Sequence, residues 1–313
     1  MSAGPTMSNL EPNVPPPRRV TPLEMPAVPR DGLRFPLTRE QLAARVREAL
    51  EEDGAFNDIT TIATVRSDRR ARAALVARQG GTIAGIPFAL ETFRALDTKA
   101  SMRVDKEDGK RVMRGETVVY ISGHARGMLA AERVALNFLM RLSGIATLTS
   151  RYVDAVRGTG VRILDTRKTT PGWRNLEKYA VRAGGGSNHR MDLASSVLIK
   201  DNHLAAVDGN VEIAIRRARE IAPQGAKIEI ECITVEQVAA AASAGANIIL
   251  LDNMPLELMR ECVKVTAKRT LLEASGGVTL DNVRAIAETG VDMISVGALT
   301  HSAPALNLAL DFE

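Results

Sequence analysis

Apolar positions keep a helical rhythm at the start of the patterned chain, where Leu42, Val46 and Leu50 recur every fourth residue. Thr38 precedes them, and Glu40 and Gln41 fill the first turn, so a helix is expected from Thr38 to about Asp53-Gly54. The rhythm then shortens to two. Ala73, Leu75 and Ala77 alternate within 70–83, a strand pattern closed by the Gly80-Gly81 turn. Residues 111–122 repeat it, broken at Gly115, and Pro87 to Leu96 reads as a helix between them. A long helical stretch follows from about Leu129 to Val156, with a break expected near Ser143-Gly144. Mixed strands and helices of this kind predict an α+β domain over 37–142.

From residue 160 the pattern becomes regular. Short β-rich runs lie at 161–165, 197–200, 228–231, 248–251, 271–273 and 293–296, with helical stretches at 211–222, 234–244, 255–268 and 279–289 between them. Alternating strands and helices imply a parallel sheet with right-handed crossovers. A repeat of about 20 residues in the later units favours a barrel over an open sheet. The fold class is therefore α/β, with a barrel domain over 143–300 and a C-terminal segment over 301–313. Six clear strands are visible where a complete barrel needs eight.

Residues 1–36 carry nine of the chain's 14 prolines, among them Pro15-Pro16-Pro17. Proline removes amide donors and opposes helix, so a disordered extension is expected. A transit peptide is the alternative: Arg18, Arg19, Arg30 and Arg34 suit it, whereas Glu11, Glu24, Asp31 and the prolines do not. No apolar run approaches the ~20 residues that span a bilayer. Two cysteines, Cys232 and Cys262, form no disulfide framework, which points to core positions in a reducing cytoplasm. The net charge of +4 suits anionic partners. With aromatics at only 3%, stacking platforms for single-stranded nucleic acid are scarce, so small anions are the better expectation.

The chemistry gathers where strands end. Asp165-Thr166-Arg167-Lys168 follows the first barrel strand and Lys200-Asp201-Asn202-His203 the second. Glu231 ends the third and Asp252-Asn253 the fourth. Glu273 and Ser275-Gly276-Gly277 come from the fifth, Ser295 and Gly297 from the sixth. Polarity returning after any single strand means little. All these ends meet on one barrel face, however, where active sites are built. Arg167, Lys168, His189, Arg190 and Lys200 make a cationic group, and Glu231 and Asp252 an acidic one. Both together suit a polyanionic substrate carrying a divalent metal. Glycine turns on late strands offer backbone amides to a phosphate. The loop Gly184-Gly185-Gly186-Ser187-Asn188-His189-Arg190 is either simply flexible or a carrier of His189 and Arg190 to the anion.

These segments resemble one family. Asp165 to Gly172, Gly184 to Arg190 and Lys200 to His203 look like quinolinate phosphoribosyltransferase. Ala131-Glu132-Arg133, Asn137, Leu251-Asp252-Asn253, Glu273 to Gly277 and Val296 to His301 fit as well. The resemblance covers about residues 38 to 312, in the family's order. It implies an α+β N-terminal domain followed by an incomplete parallel α/β barrel. It also implies the conversion of quinolinate and phosphoribosyl pyrophosphate, with Mg²⁺, to nicotinate mononucleotide, pyrophosphate and CO₂ in NAD biosynthesis.

By the same resemblance, Arg167, His189 and Arg190 bind the quinolinate carboxylates, with Arg133 reaching in from the partner of a head-to-tail homodimer. Lys168 and Lys200 face the pyrophosphate and the reacting centre. Glu231 and Asp252 serve the ribose and the metal. Ser275, Gly276, Gly277, Gly297 and Ala298 hold the 5′-phosphate, with His301 nearby. Asn307 departs from the aspartate frequent in the family, and the Pro-rich tail lies outside its shared core.

Three rivals predict something else. A relative of the same fold acting on another substrate would not need four donors for two carboxylates. A non-catalytic phosphosugar binder would not need Glu231, Asp252 and both lysines. A nucleic-acid binder would show steep salt dependence on any DNA.

Overall fold

The structure is a computed structural model describing residues 32–312. The extension expected over 1–36 thus falls, up to residue 31, outside the described residues. Its last positions are packed. Leu33 and Phe35 lie against the main core, and Phe35 meets Phe88 and Tyr179 edge-on, with ring centroids 5.6 and 5.2 Å apart.

The first helix, α1 (Arg39–Glu52), starts where the pattern places it. Thr38 and Gln41 cap it reciprocally, and Leu42, Val46 and Leu50 are its buried residues. Next come α2 (Ile59–Thr64), β1 (Arg70–Ala77), β2 (Gly81–Thr82), α3 (Ile86–Leu96), β3 (Ser101–Val104), β4 (Arg111–Val112) and β5 (Thr117–His124). β1, β3 and β5 build an antiparallel sheet, while β2 and β4 pair apart from it. Leu75, Phe93, Ile121 and Leu139 fill the core between sheet and helices.

Helix α4 (Ala125–Ala155) runs 31 residues without interruption, so the break expected at Ser143-Gly144 does not occur. Ser143 and Gly144 mark a close crossing instead. Ser143 Oγ accepts from the Ala84 amide at 3.0 Å and donates to the Ala84 carbonyl at 3.2 Å. A Cβ on Gly144 would lie 2.2 Å from the Pro304 carbonyl oxygen, so only glycine lets that strand of chain pass. At ~1.5 Å per residue the helix is about 46 Å long. It packs on α3 of the first unit and on a helix of the second, and so ties the two together.

The second unit alternates strand and helix, with two helices between its second and third strands. β6 (Arg162–Leu164), α5 (Arg174–Ala183), β7 (Val197–Ile199), α6 (Asp201–Ala205), α7 (Val211–Ile221) and β8 (Ile228–Cys232) come first. Then follow α8 (Val235–Ser243), β9 (Ile248–Asp252), α9 (Leu256–Thr266), β10 (Leu271–Ser275), α10 (Val283–Ala287), β11 (Met293–Ser295) and α11 (Ala298–His301). All six strands are parallel, in the order β6-β11-β10-β9-β8-β7. The first strand has come round beside the last, while no ladder joins β6 to β7 among the described residues. This is the incomplete barrel, its seam between β6 and β7. Ser187 pairs with Leu164 along that seam. The chain then returns to the first unit, where β12 (Leu308–Phe312) pairs antiparallel with β1.

Alternation decides what each barrel strand shows. Ile163, Ile230, Ile249, Leu272 and Ile294 belong to the large core shared with the helices. Leu164, Ile248, Leu271 and Met293 form a separate apolar cluster. Glu229 and Glu231, Leu250 and Asp252, and Glu273 and Ser275 share the parity of that second cluster, so polar groups accumulate inside the barrel towards the strand ends. Among the described residues no helix is long and apolar enough to cross a membrane.

Candidate active site

A cavity of about 580 Å³ opens at the C-terminal ends of the barrel strands. Thr166, Arg167, Lys168, His189, Arg190, Lys200, Asp201, Glu231, Asp252, Asn253, Glu273, Ser275, Gly276 and Ser295 line it with Leu198 and Leu250. Five expected cationic side chains and both expected carboxylates therefore come to one place. Lys200 Nζ is ion-paired with Glu231 Oε1, the two carried by neighbouring strands. Arg167 Nε and Arg190 Nε are buried donors without a partner among the described residues.

The glycine turns expected to face a phosphate leave backbone amides unused. Gly276 and Gly277 adopt φ of 91° and 60°, and the amides of Gly276, Gly277 and Gly297 donate to no group among the described residues. Ser275 Oγ and Ser295 Oγ are 3.0 Å apart. Lys168 approaches the same corner: a Cβ on Gly297 would be 3.3 Å from Lys168 Cδ and 3.2 Å from His301 Nε2. Gly277, Gly297, Ala298 and His301 border the cavity region without being among the residues that line it. Arg133 is exposed on α4 and also lies outside the cavity lining.

The glycine loop is packed. Gly184 lies over the Ala146 carbonyl, 2.4 Å from where a Cβ would stand. Beyond it, Asn188 Nδ2 donates to Asp165 Oδ2 at 2.5 Å and to the Lys178 carbonyl at 2.8 Å. The His189 amide donates to Asp165 Oδ1 at 2.9 Å. Lys178 Nζ donates to Asp165 Oδ1 at 2.5 Å and to the His189 and Arg190 carbonyls at 2.9 and 3.2 Å. Burial pushes the Asp165 carboxyl up and the Lys178 ammonium down, and each partner opposes the other's shift. A buried pair thus fastens the loop that carries His189 and Arg190.

At the floor of the cavity, Glu229 joins two residues already read from the sequence, His189 and Glu273. Glu229 and Glu273 are buried, and His189 Nε2 stands 3.1 Å from Glu229 Oε2 and 3.7 Å from Glu273 Oε1. Burial, with the charge of Glu229 beside it, pushes the Glu273 carboxyl up to about 8. For His189, burial acts downward, but the Glu229 hydrogen bond and the charges of Glu273 and Glu229 outweigh it, so its pKa moves up. The Arg190 amide, donating to Nδ1 at 2.8 Å, opposes protonation of that nitrogen. A backbone N–H can only donate, so Nδ1 keeps its lone pair and the ring proton sits on Nε2, towards the two acids that favour it there. Glu229 and Glu273 each interrupt an apolar strand at an inward position. Parity was the available signal for Glu229, whereas Asp165–Lys178 had none, because the two stand 13 positions apart across loop and helix.

Models for quinolinate phosphoribosyl transferase match in two parts, the N-terminal domain over residues 58–143 and the C-terminal domain over 145–311. The chain belongs to the quinolinate phosphoribosyltransferase family. Among its relatives, the nicotinate-nucleotide pyrophosphorylase [carboxylating] of Mycobacterium leprae is 46% identical over 274 residues, covering 85% of this chain and 95% of that protein. The human protein of the same name is 39% identical over 285 residues, covering 90% and 94%. The crystal structure of NadC from Streptococcus pyogenes superposes with a TM-score of 0.83 at 38% identity, covering 88% of this chain and 99% of that one. The strand-end cations, carboxylates and glycine turns lie within the stretch that matches the family's C-terminal domain, and Arg133 within its N-terminal domain.

Proposed function

We propose that this chain transfers the phosphoribosyl group of phosphoribosyl pyrophosphate to quinolinate, giving nicotinate mononucleotide, pyrophosphate and CO₂ in NAD biosynthesis. One observation carries the reading: Arg167, Lys168, Arg190 and Lys200 share a single cavity with Glu231 and Asp252. Cations suit the carboxylates and phosphates of two polyanions, and the acids suit a ribose that becomes positive as its leaving group departs. The names carried by the chain's relatives point the same way.

In this reading Arg167 and Arg190 orient the quinolinate carboxylates, and the Nε of each has no hydrogen-bond partner among the described residues. Lys168 and Lys200 take up charge on the pyrophosphate. The C1′–oxygen bond breaks and the pyridine nitrogen forms the new bond to C1′. Glu231 and Asp252 stabilise the oxocarbenium-like ribose between the two events. The quaternary nitrogen then accepts the electron pair released as the adjacent carboxylate leaves as CO₂, and a proton takes its place on the ring carbon. Ser275, Gly276, Gly277, Gly297 and Ala298 hold the 5′-phosphate, with His301 beside them.

Mg²⁺ fits the same donors. Two carboxylates on neighbouring strand ends, with substrate phosphates completing the sphere, are the oxygen donors this ion takes. Glu231 and Asp252 would hold it, and it supplies charge neutralisation to the pyrophosphate. The protein acts, in this proposal, as a cytoplasmic homodimer in which Arg133 of one subunit serves the other's cavity. Its exposure on α4, outside its own cavity lining, supports that assignment.

Nicotinate in place of quinolinate tests the cationic wall. It lacks the second carboxylate, so kcat/KM is expected to fall by at least about a hundredfold, the loss of one charge-assisted contact. Equal turnover of both acids would remove the dicarboxylate site from the reading.

A further inference from the structure

His189 lines the cavity, yet both its ring nitrogens are taken. Nδ1 accepts the Arg190 amide, and a backbone N–H can only donate. Nε2 therefore carries the proton, and it faces Glu229 and Glu273. The imidazole side chain is 11% exposed, the carboxylates 4% and 1%.

We propose that Glu229 and Glu273 are positioning residues, which hold His189 as a strut so that the Gly184–Arg190 loop presents the Arg190 guanidinium to the substrate carboxylates. His189 then serves the substrate through Arg190. This rests on the dicarboxylate reading of the cavity and adds to it two residues with no direct part in the substrate-binding scheme.

Three observations carry it. Inward positions of a barrel strand ordinarily bear branched apolar side chains, and a carboxylate there is costly unless a group needs it. Glu229 has its side-chain hydrogen bond with His189, and neither oxygen of Glu273 has a hydrogen-bond partner among the described residues. Glu229 therefore acts through the imidazole, and Glu273, which also interacts with Ser295 and Arg162, backs the same nitrogen from 3.7 Å. Secondly, the loop is fastened on two sides, by Asp165 and Lys178 at its backbone and by His189 at the barrel floor. Thirdly, Arg190 is coupled to the ring itself: its amide is bonded to Nδ1, its Nη1 donates to the Ser196 carbonyl at 2.9 Å, and its Nε is buried. Turning the imidazole moves the peptide from which the guanidinium springs.

His189, Glu229 and Glu273 could also be taken for a cation site, since their ligand atoms lie within 4.8 Å of one another. That occupant fits less well. The positive charge of Lys178 already acts on His189, and Glu273 and Arg162 are close enough to interact electrostatically.

The test is a double-mutant cycle read in both Michaelis constants. His189→Ala and Glu229→Leu are each expected to raise the quinolinate KM at least about tenfold, the scale of a misplaced binding group, and to leave the phosphoribosyl pyrophosphate KM within about twofold. The double variant should be no worse than either single one. Glu229→Gln, which keeps an acceptor oxygen for Nε2–H, should stay within about threefold of wild type. Additive losses, or a Glu229→Leu enzyme with wild-type quinolinate KM, would show that His189 acts on the substrate by itself and overturn the proposal.

Should Glu229→Leu fail to fold, ¹⁵N resonances of His189 in the wild-type protein decide. An Nε2–H tautomer that persists when phthalate, a ring dicarboxylate, is added supports the strut, and conversion to imidazolium on addition overturns it. An Nδ1–H or imidazolium form already in the free protein overturns the strut whether or not quinolinate is turned over, and phthalate is scored only where its binding is seen as shifts of other cavity resonances, so failure of the strut and failure of the functional reading are told apart.

Discussion

Lys178→Met should damage this protein more than any surface charge removal. Lys178 and Asp165 are 1% and 0% exposed, and their ion pair spans 2.5 Å. Methionine fills much of the lysine volume, so the loss is one of charge and hydrogen bonds. Three acceptors lose their donor together: Asp165 Oδ1 and the carbonyls of His189 and Arg190. Asp165 keeps the Asn188 amide and the His189 N–H, which compensates part of a buried carboxylate. Breaking one side of a buried pair costs about 3–5 kcal/mol. At ~2–4 °C per kcal/mol in a unit of this size, the melting temperature should fall by about 6–20 °C. Urea denaturation followed by far-UV circular dichroism measures the loss, and the quinolinate KM should rise with it because the loop carrying Arg190 is loosened. An exposed pair such as Arg47–Glu51 serves as the control, expected to cost less than about 1 kcal/mol. If Lys178→Met lost no more than that control, the buried pair would not be what fastens the loop.

Three other outcomes are expected. Gly144→Ala puts a methyl against the Pro304 carbonyl, forces α4 and the 304–305 segment apart, and should cost about 1–3 kcal/mol by denaturation; an unchanged midpoint would mean that the crossing yields freely. Glu273 has a folded-state pKa of about 8 against an ordinary 4.5, so the folded state holds the extra proton between those values and stability falls as pH rises through that window. Glu273→Gln should flatten that part of the stability profile, and an unaltered slope between pH 5 and pH 8 would contradict it. Arg133→Ala and Arg167→Ala should each be inactive but regain activity when subunits are exchanged, because a mixed dimer rebuilds one intact site; no recovery despite demonstrated exchange would place Arg133 in its own subunit's chemistry.

Much of this architecture is legible in the chain because its signals are local. Thr38, Gln41 and the Leu42, Val46, Leu50 stripe specify α1 within a dozen residues. The six barrel strands announce themselves as apolar runs because a parallel sheet is buried on both faces. Glu229 is masked differently: in Ile228-Glu229-Ile230-Glu231-Cys232 the strand-end Glu231 draws the attention, and the acid two residues before it gains meaning only once parity turns both inward. Long-range pairings leave no local trace, so the antiparallel match of Leu308–Phe312 with β1 was not readable. Ser143-Gly144 misled for a related reason. In an isolated peptide the pair weakens a helix, whereas here contacts with Ala84 and Pro304, far away in sequence, require it. Strand-end residues were readable as a set because topology brings them together whatever the loop conformations. Whether a given side chain, such as that of His189, faces the cavity or the barrel floor depends on packing that no spacing reveals.

The most direct test of the functional account is the stoichiometry of its two products. Purified protein is given quinolinate labelled at the 2-carboxylate, with Mg²⁺, in the presence and absence of phosphoribosyl pyrophosphate. Labelled CO₂ and nicotinate mononucleotide should appear one for one, and only when phosphoribosyl pyrophosphate is present, since the carboxylate leaves after the ring nitrogen has become quaternary. CO₂ release without phosphoribosyl pyrophosphate, or no nucleotide from folded protein, would contradict the account.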